Sequence, residues 1–200
     1  MAWMKNIMIS GLPRTGKTTR AVTLFQQIKH NGMFINIQGE DYLKSYPQIY
    51  RSKDWTGFKT KMVFTPANPA QGLDMIKKIY AFQKSQRTGS TLYPISIIID
   101  EIWKYQNNKK DIQLLVDLFS AGLRWNIQVI GTAQLPSMVA PNIYKNTHIF
   151  IFYQLNDALY AYFSRVWKID LFELRQHLNR PFNYVIYDGR KFYPKTPEQQ

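Results

Sequence analysis

Residues 6–18 read Asn-Ile-Met-Ile-Ser-Gly-Leu-Pro-Arg-Thr-Gly-Lys-Thr, a short apolar run followed by a glycine-bounded turn and then, from Lys17, a stretch of helical period. The segment Gly11-Leu12-Pro13-Arg14-Thr15-Gly16-Lys17-Thr18 has the spacing GxxxxGK[ST] in the strand-to-helix context that a phosphate-binding loop needs. Its glycines let the backbone turn and aim N–H groups at phosphate oxygens, and the following helix N-terminus adds positive potential. Lys17 is placed to reach the outer phosphates, and the Thr18 hydroxyl to ligate magnesium. Gly11 to Thr19 are therefore the candidate nucleotide-binding residues.

Outward from this loop, β-branched or apolar runs alternate with longer segments of helical period, which predicts an α/β protein with a mainly parallel sheet. Strands are expected near Asn6–Ser10, Met33–Gln38, Lys61–Thr65, Pro94–Asp100, Gln128–Thr132 and Thr147–Tyr153. Helices are expected over Lys17–His30, Gln71–Gln86, Asp111–Leu123, Asp157–Arg165 and Leu171–Leu178, the longer ones with apolar residues on one face. Asp188-Gly189 between Asn183–Tyr187 and Lys191–Tyr193 predicts a C-terminal β-hairpin. With no repeat, low-complexity tract or linker-like stretch, 200 residues imply one domain. Its core is expected over about 5–155, the C-terminal helices and hairpin over 156–193, and a loose tail over 194–200.

Two strand ends carry the next chemical signals. Ile95-Ser-Ile-Ile-Ile-Asp100-Glu101 delivers two carboxylates to the C-terminal edge of the sheet, where open α/β sheets bind ligands. Asp100 can hold magnesium through water. Glu101 is placed to polarise the water that attacks a γ-phosphate, a general-base role that favours hydrolysis over phosphoryl transfer to a second substrate. Gln128-Val-Ile-Gly-Thr-Ala-Gln134 brings Thr132 and Gln134 to the same edge. A side-chain amide there can donate to a phosphate oxygen and accept from the attacking water.

Composition narrows the function further. The chain has 26 Lys and Arg against 13 Asp and Glu, a formal net charge of +13, which suggests a polyanionic partner such as nucleic acid or an anionic membrane surface. Residues 1–100 hold most of the excess, with 14 basic and 5 acidic groups against 12 and 8 in residues 101–200. Absence of cysteine excludes disulfides, thiolate metal sites and a cysteine nucleophile. His30, His148 and His177 are too scattered to suggest zinc. No apolar run approaches the roughly 18 residues of a membrane span, and no secretion signal is read at the N-terminus.

Taken together, the phosphate loop, the Asp100-Glu101 strand end, the helix closing on Gly122-Leu-Arg124-Trp-Asn and the strand ending Thr132-Ala-Gln134-Leu-Pro-Ser resemble the FtsK–HerA superfamily of DNA-pumping ATPases. The resemblance covers about Lys5 to Leu155. It implies a three-layer P-loop NTPase fold of the RecA/ASCE-like type, with an additional strand between the phosphate-loop strand and the Asp-Glu strand. It also implies ATP and Mg2+ as cofactors, and a homo-oligomeric ring, a hexamer, around double-stranded DNA. The small size resembles the viral genome-packaging branch, in particular the packaging ATPases of icosahedral viruses with an internal membrane, including archaeal turreted ones. That implies ATP-driven, sequence-independent translocation of a viral genome into a preformed capsid, docking at a capsid or membrane vertex. The implied location is the host cytoplasm during assembly, or the virion if the enzyme is retained.

Ring ATPases of this kind need an arginine presented to the neighbouring subunit's γ-phosphate. Arg124 is the first candidate, because the family carries a basic residue in that place; Arg87 and Arg165 are alternatives. The sequence departs from the frequent Thr-Gln-x-Pro by having Ala133 between Thr132 and Gln134. Between Asp41 and Lys61, Lys44, Arg51, Lys53, Lys59 and Lys61 alternate with Tyr42, Tyr46, Tyr50, Trp55 and Phe58. This mixture suits either a phosphate-tracking channel surface or an insertion that packs its aromatics on the sheet and solvates its lysines. Lys77, Lys78 and Lys84 lie opposite an apolar helix face, and Lys104, Lys109 and Lys110 follow Glu101 closely enough to couple DNA contact to it. Two other functions fit the same motifs: a membrane-associated ATPase of virion assembly or extrusion, and a nucleotide-dependent scaffold without turnover.

Overall fold

A computed structural model describes residues 4–37, 43–86 and 93–196, and Arg87 and Tyr42 lie outside the described residues. Among these residues nine strands form one sheet: β1 (Ile7–Ser10), β2 (Asn31–Ile35), β3 (Gln48–Ile49), β4 (Lys61–Phe64), β5 (Ile95–Ile99), β6 (Ile127–Ala133), β7 (Ile149–Phe152), β8 (Tyr184–Tyr187) and β9 (Phe192–Lys195). Their spatial order is β3-β4-β2-β5-β6-β1-β7-β8-β9. The seven strands from β3 to β7 in that order are parallel, and β8 and β9 add antiparallel as the predicted hairpin. As the resemblance implied, one strand separates the phosphate-loop strand from the Asp-Glu strand, and it is β6, the strand that carries Gln134.

Among the described residues six α-helices cover the sheet unequally: α1 (Lys17–Gln27), α2 (Pro69–Ser85), α3 (Lys109–Ala121), α4 (Pro141–Lys145), α5 (Asp157–Trp167) and α6 (Leu171–His177). Strand alternation sorts the apolar side chains into two layers. Ile7, Ile9, Ile98, Ile130 and Ile151 meet Ala21, Val22 and Phe25 of α1 on one face. Met8, Ile97, Ile99, Val129, Phe150 and Phe152 meet residues of α2 to α6 on the other. The result is three layers, with α1 the only helix on its side among the described residues. No helix among the described residues is long and apolar enough to cross a membrane.

Several element boundaries differ from the sequence-based expectation, each for a local reason. α1 stops at Gln27 rather than His30, and β2 begins as early as Asn31. The Lys61 ammonium donates to the carbonyls of Phe25 and Gln26, a C-terminal cap supplied from β4. α2 begins at Pro69 rather than Gln71 because Asn68 accepts from the Gln71 N–H and Pro69 occupies the first helical turn, where its missing donor costs nothing. α3 likewise begins two residues earlier than expected, with Asn108 accepting from Lys110 and Asp111. β9 runs to Lys195, so Pro194 and Lys195 belong to the hairpin rather than to a loose tail.

The Asp41–Lys61 stretch contains a strand the sequence did not announce, β3, pairing with β4. Three of its aromatics pack against neighbours: Tyr46 lies against Phe25, and Trp55 against Phe58 and Phe82. Lys61 sits over the Phe25 and Tyr46 rings. The aromatics thus anchor the stretch on the sheet, as the packed-insertion reading expects. Arg51, Lys53, Lys59 and Tyr50 remain at the surface.

Candidate functional site

β1 ends at Ser10 and the chain turns at once into the loop that caps α1. Gly16, the N-cap, has φ +101, a backbone that L side chains rarely adopt. Gly11 is constrained differently: a Cβ there would lie 2.7 Å from Cβ of Tyr153, which follows β7 and floors the loop. The loop is moored on both sides, with Leu12 N–H donating to Gln154 O and Thr15 Oγ1 to Leu12 O, both at 2.8 Å.

Lys17 is 4% exposed, and its ammonium donates to the Leu12 carbonyl at 2.7 Å. Burial pushes its pKa below the ordinary lysine value, opposed by the carboxylates of Glu101 and Asp100. The ammonium is thus held by two negative groups and by a carbonyl that a phosphate oxygen can replace.

Asp100 and Glu101, each 3% exposed, leave β5 directly opposite this loop. Asp100 Oδ1 accepts from Thr132 Oγ1 at 2.7 Å and lies 3.4 Å from Thr18 Oγ1. Thr132 Oγ1 also accepts from the Glu101 N–H at 2.8 Å, tying the ends of β5 and β6 together. A hydroxyl and a carboxylate this close are the hard oxygen donors that suit magnesium delivered with substrate phosphates. Among the described residues no group of three or more His, Asp or Glu side chains stands ready to hold a metal alone.

The Glu101 backbone is left-handed, φ +51, which turns its side chain out of the strand direction. Its Oε2 accepts from the Trp103 indole N–H at 2.6 Å and from the Gln134 N–H at 3.2 Å. Trp103 was not singled out in the sequence, although its place two residues after the acidic pair was the available signal. Gln134 lines a cleft of about 410 Å3 with Pro13, Arg14, Gly16, Lys17, Thr18 and Thr19. Ala133, the residue that departs from the frequent pattern, is buried under α2–α6, so strand alternation sends Thr132 and Gln134 to the other side, toward the loop.

The structure therefore brings Lys17, Thr18, Asp100, Glu101, Thr132 and Gln134 to one edge of the sheet. Arg124 is not among them. It is exposed on a 3-10 turn, Gly122–Trp125, that precedes β6, so the length of that strand separates it from its own phosphate loop. Arg165 is exposed on α5 and lines a separate groove with Ser137, Ala158, Leu159, Ala161 and Tyr162. The arrangement at the edge can hold phosphates, a divalent cation and a water under a carboxylate.

No family model matches the sequence, and no curated protein matches it. Solved structures do match. The genome packaging NTPase B204 from Sulfolobus turreted icosahedral virus 2 in complex with sulfate superposes with a TM-score of 0.76 at 14% identity, over 97% of this chain and 97% of that one. Its complex with AMPPCP gives 0.72 at 16%, over 98% and 100%. VirB4 of Thermoanaerobacter pseudethanolicus gives 0.72 at 10%, over 97% and 90%. At these identities the likeness establishes the fold, and the fold is that of P-loop ATPases. Its neighbours are of the kind that the FtsK–HerA resemblance implied.

Proposed function

We propose that this chain is a magnesium-dependent ATPase that translocates double-stranded DNA and packages a viral genome into a preformed capsid. One observation carries the reading: a buried carboxylate, Glu101, is bonded to the backbone of Gln134 at the mouth of a cleft whose other wall is the Lys17 loop. The triphosphate lies along Gly11 to Thr19, taking the Lys17 ammonium from the Leu12 carbonyl. Glu101 accepts the proton of the attacking water, and the Gln134 amide orients that water against the γ-phosphate. Thr18 and, through water, Asp100 would hold a magnesium ion, which would offset the negative charge of the phosphates.

Arg124 completes the site from a neighbouring copy. Its position at the edge opposite the phosphate loop suits a head-to-tail, ring-closing contact in which one subunit's Arg124 meets the next subunit's γ-phosphate. Inactive Arg124→Ala mixed with inactive Lys17→Ala is then expected to regain hydrolysis, because a mixed hexamer contains junctions with both residues intact. Absence of recovery at every mixing ratio would remove Arg124 from this role.

The charge of +13 supports duplex DNA as the partner. Exposed Lys53 and Lys59, and Lys109 and Lys110 in the first turn of α3, are the contacts we propose. Cations at a helix N-terminus oppose its dipole, so Lys109 and Lys110 are better explained by an anion outside the chain than by α3 itself. The likeness to a genome packaging NTPase supports the packaging form, and docking at a capsid or membrane vertex and work in the host cytoplasm belong to the same proposal.

The test is steady-state ATP hydrolysis with and without long duplex DNA, using Glu101→Gln as the blank. Duplex is expected to stimulate turnover, with an effect that falls steeply between low and physiological salt as counterions compete. Turnover indifferent to duplex at low salt would overturn the motor reading.

A further inference from the structure

The cleft beside the phosphate loop has one lining residue that the chemistry above does not use. Phe182, in the turn between α6 and β8, is 51% exposed although it is a large apolar side chain. It adopts φ +61, in the left-handed region that bulky L residues rarely enter. Five non-glycine residues among those described have positive φ, and three of them, Arg14, Glu101 and Phe182, belong to this site. Backbone held this way at a ligand clamp is an observed outlier that asks for a function.

Its place in the sheet suggests which function. The groups aimed at the γ-phosphate leave β5 and β6 on one side of β1, whereas Phe182 leads into β8 on the other side, beyond β7. From β6 to β8 is three strand spacings, about 14 Å, so a triphosphate with its terminal phosphate near Glu101 points its sugar and base toward Phe182. The ring stands next to the start of α1: a Cβ on Gly16 would be 3.9 Å from Phe182 Cδ1. Behind it Tyr153 and Tyr184 stack with ring centroids 5.4 Å apart, and Arg20 covers Tyr184 at 5.0 Å. This buried pair supports the turn, while Phe182 keeps an open face.

We infer that Phe182 is the platform on which the nucleobase stacks, and that its left-handed backbone serves to present the ring to the cleft. This rests on the nucleotide-binding reading and extends it to the substrate's other end. Every base has a π-face, so a single aromatic ring without a polar partner binds purine and pyrimidine triphosphates with little discrimination.

Calorimetric titration with ATP, GTP and tripolyphosphate, each with magnesium, separates the parts. For the wild type, ATP and GTP are expected to bind alike and more tightly than tripolyphosphate. Phe182→Ala and Phe182→Gly should each weaken ATP about 10-fold or more while leaving tripolyphosphate unchanged, and Phe182→Trp should retain ATP affinity. Glycine also releases the left-handed backbone, so equal losses in the two variants assign the effect to the ring and not to the turn; melting curves establish that each variant is folded. ATP affinity unchanged in folded Phe182→Ala, or an equal loss for tripolyphosphate, would overturn the platform. If wild-type protein bound ATP no better than tripolyphosphate, the platform would fail while the phosphate site stood. If it bound neither, the nucleotide reading itself would fall and the platform with it.

Discussion

Glu101→Gln is expected to bind ATP as well as the wild type and to hydrolyse it about 10²–10⁴-fold more slowly, the range that a positioned general base contributes. The substitution is isosteric, and the amide oxygen can still accept from the Trp103 indole and the Gln134 N–H, so the loop geometry survives. What is lost is the carboxylate's capacity to take a proton. Single-turnover hydrolysis beside equilibrium binding of ATP separates the two quantities. Undiminished hydrolysis would move the base elsewhere, whereas loss of binding and turnover together would make Glu101 a structural prop of the loop.

Lys17→Ala is expected to differ in kind, because it acts on binding and on chemistry together. Its ammonium is buried and interacts with the carboxylates of Glu101 and Asp100, in the wall of the cleft. Its removal should lower kcat/KM by at least about 10²–10³-fold, as for the loss of one preorganised donor to transition-state charge, and should weaken ATP binding as well. The signature is a loss that tripolyphosphate shares, in contrast to Phe182→Ala. A variant with normal tripolyphosphate affinity would mean that the ammonium stays on the Leu12 carbonyl when ligand binds.

Much of this site was legible because its elements are local: a glycine-bounded loop at the start of a helix and two strand ends carrying carboxylates and an amide. Asp100, Glu101 and Gln134 followed from strand direction alone, since parallel strands deliver all their C-terminal residues to one edge. The parts that were not legible depend on partners far away in sequence. Lys61 reads as a basic residue in an aromatic stretch, and only the pairing of β4 with β2 puts it on the end of α1. β3 is two residues long and has no periodicity to detect. Tyr153 is decided by the absence of a Cβ on Gly11, more than a hundred residues earlier. Phe182 follows Pro181 in a turn without pattern, where only its backbone angle and exposure mark it. The helix starts at Pro69 and Lys109, by contrast, were written in the Asn68 and Asn108 caps, signals that apolar periodicity alone overlooks.

The two margins of the nine-stranded sheet bear on how copies of this protein can meet. One margin is β3, too short to template another strand, and the other is β9, which carries Pro194 and Lys195. Proline removes a donor from the exposed rail and lysine charges it, two devices that keep sheet edges from zipping together. At high local concentration, open edges would invite runaway fibres of continuous sheet. With both rails blunted, self-association is left to side-chain surfaces, which can be released and remade.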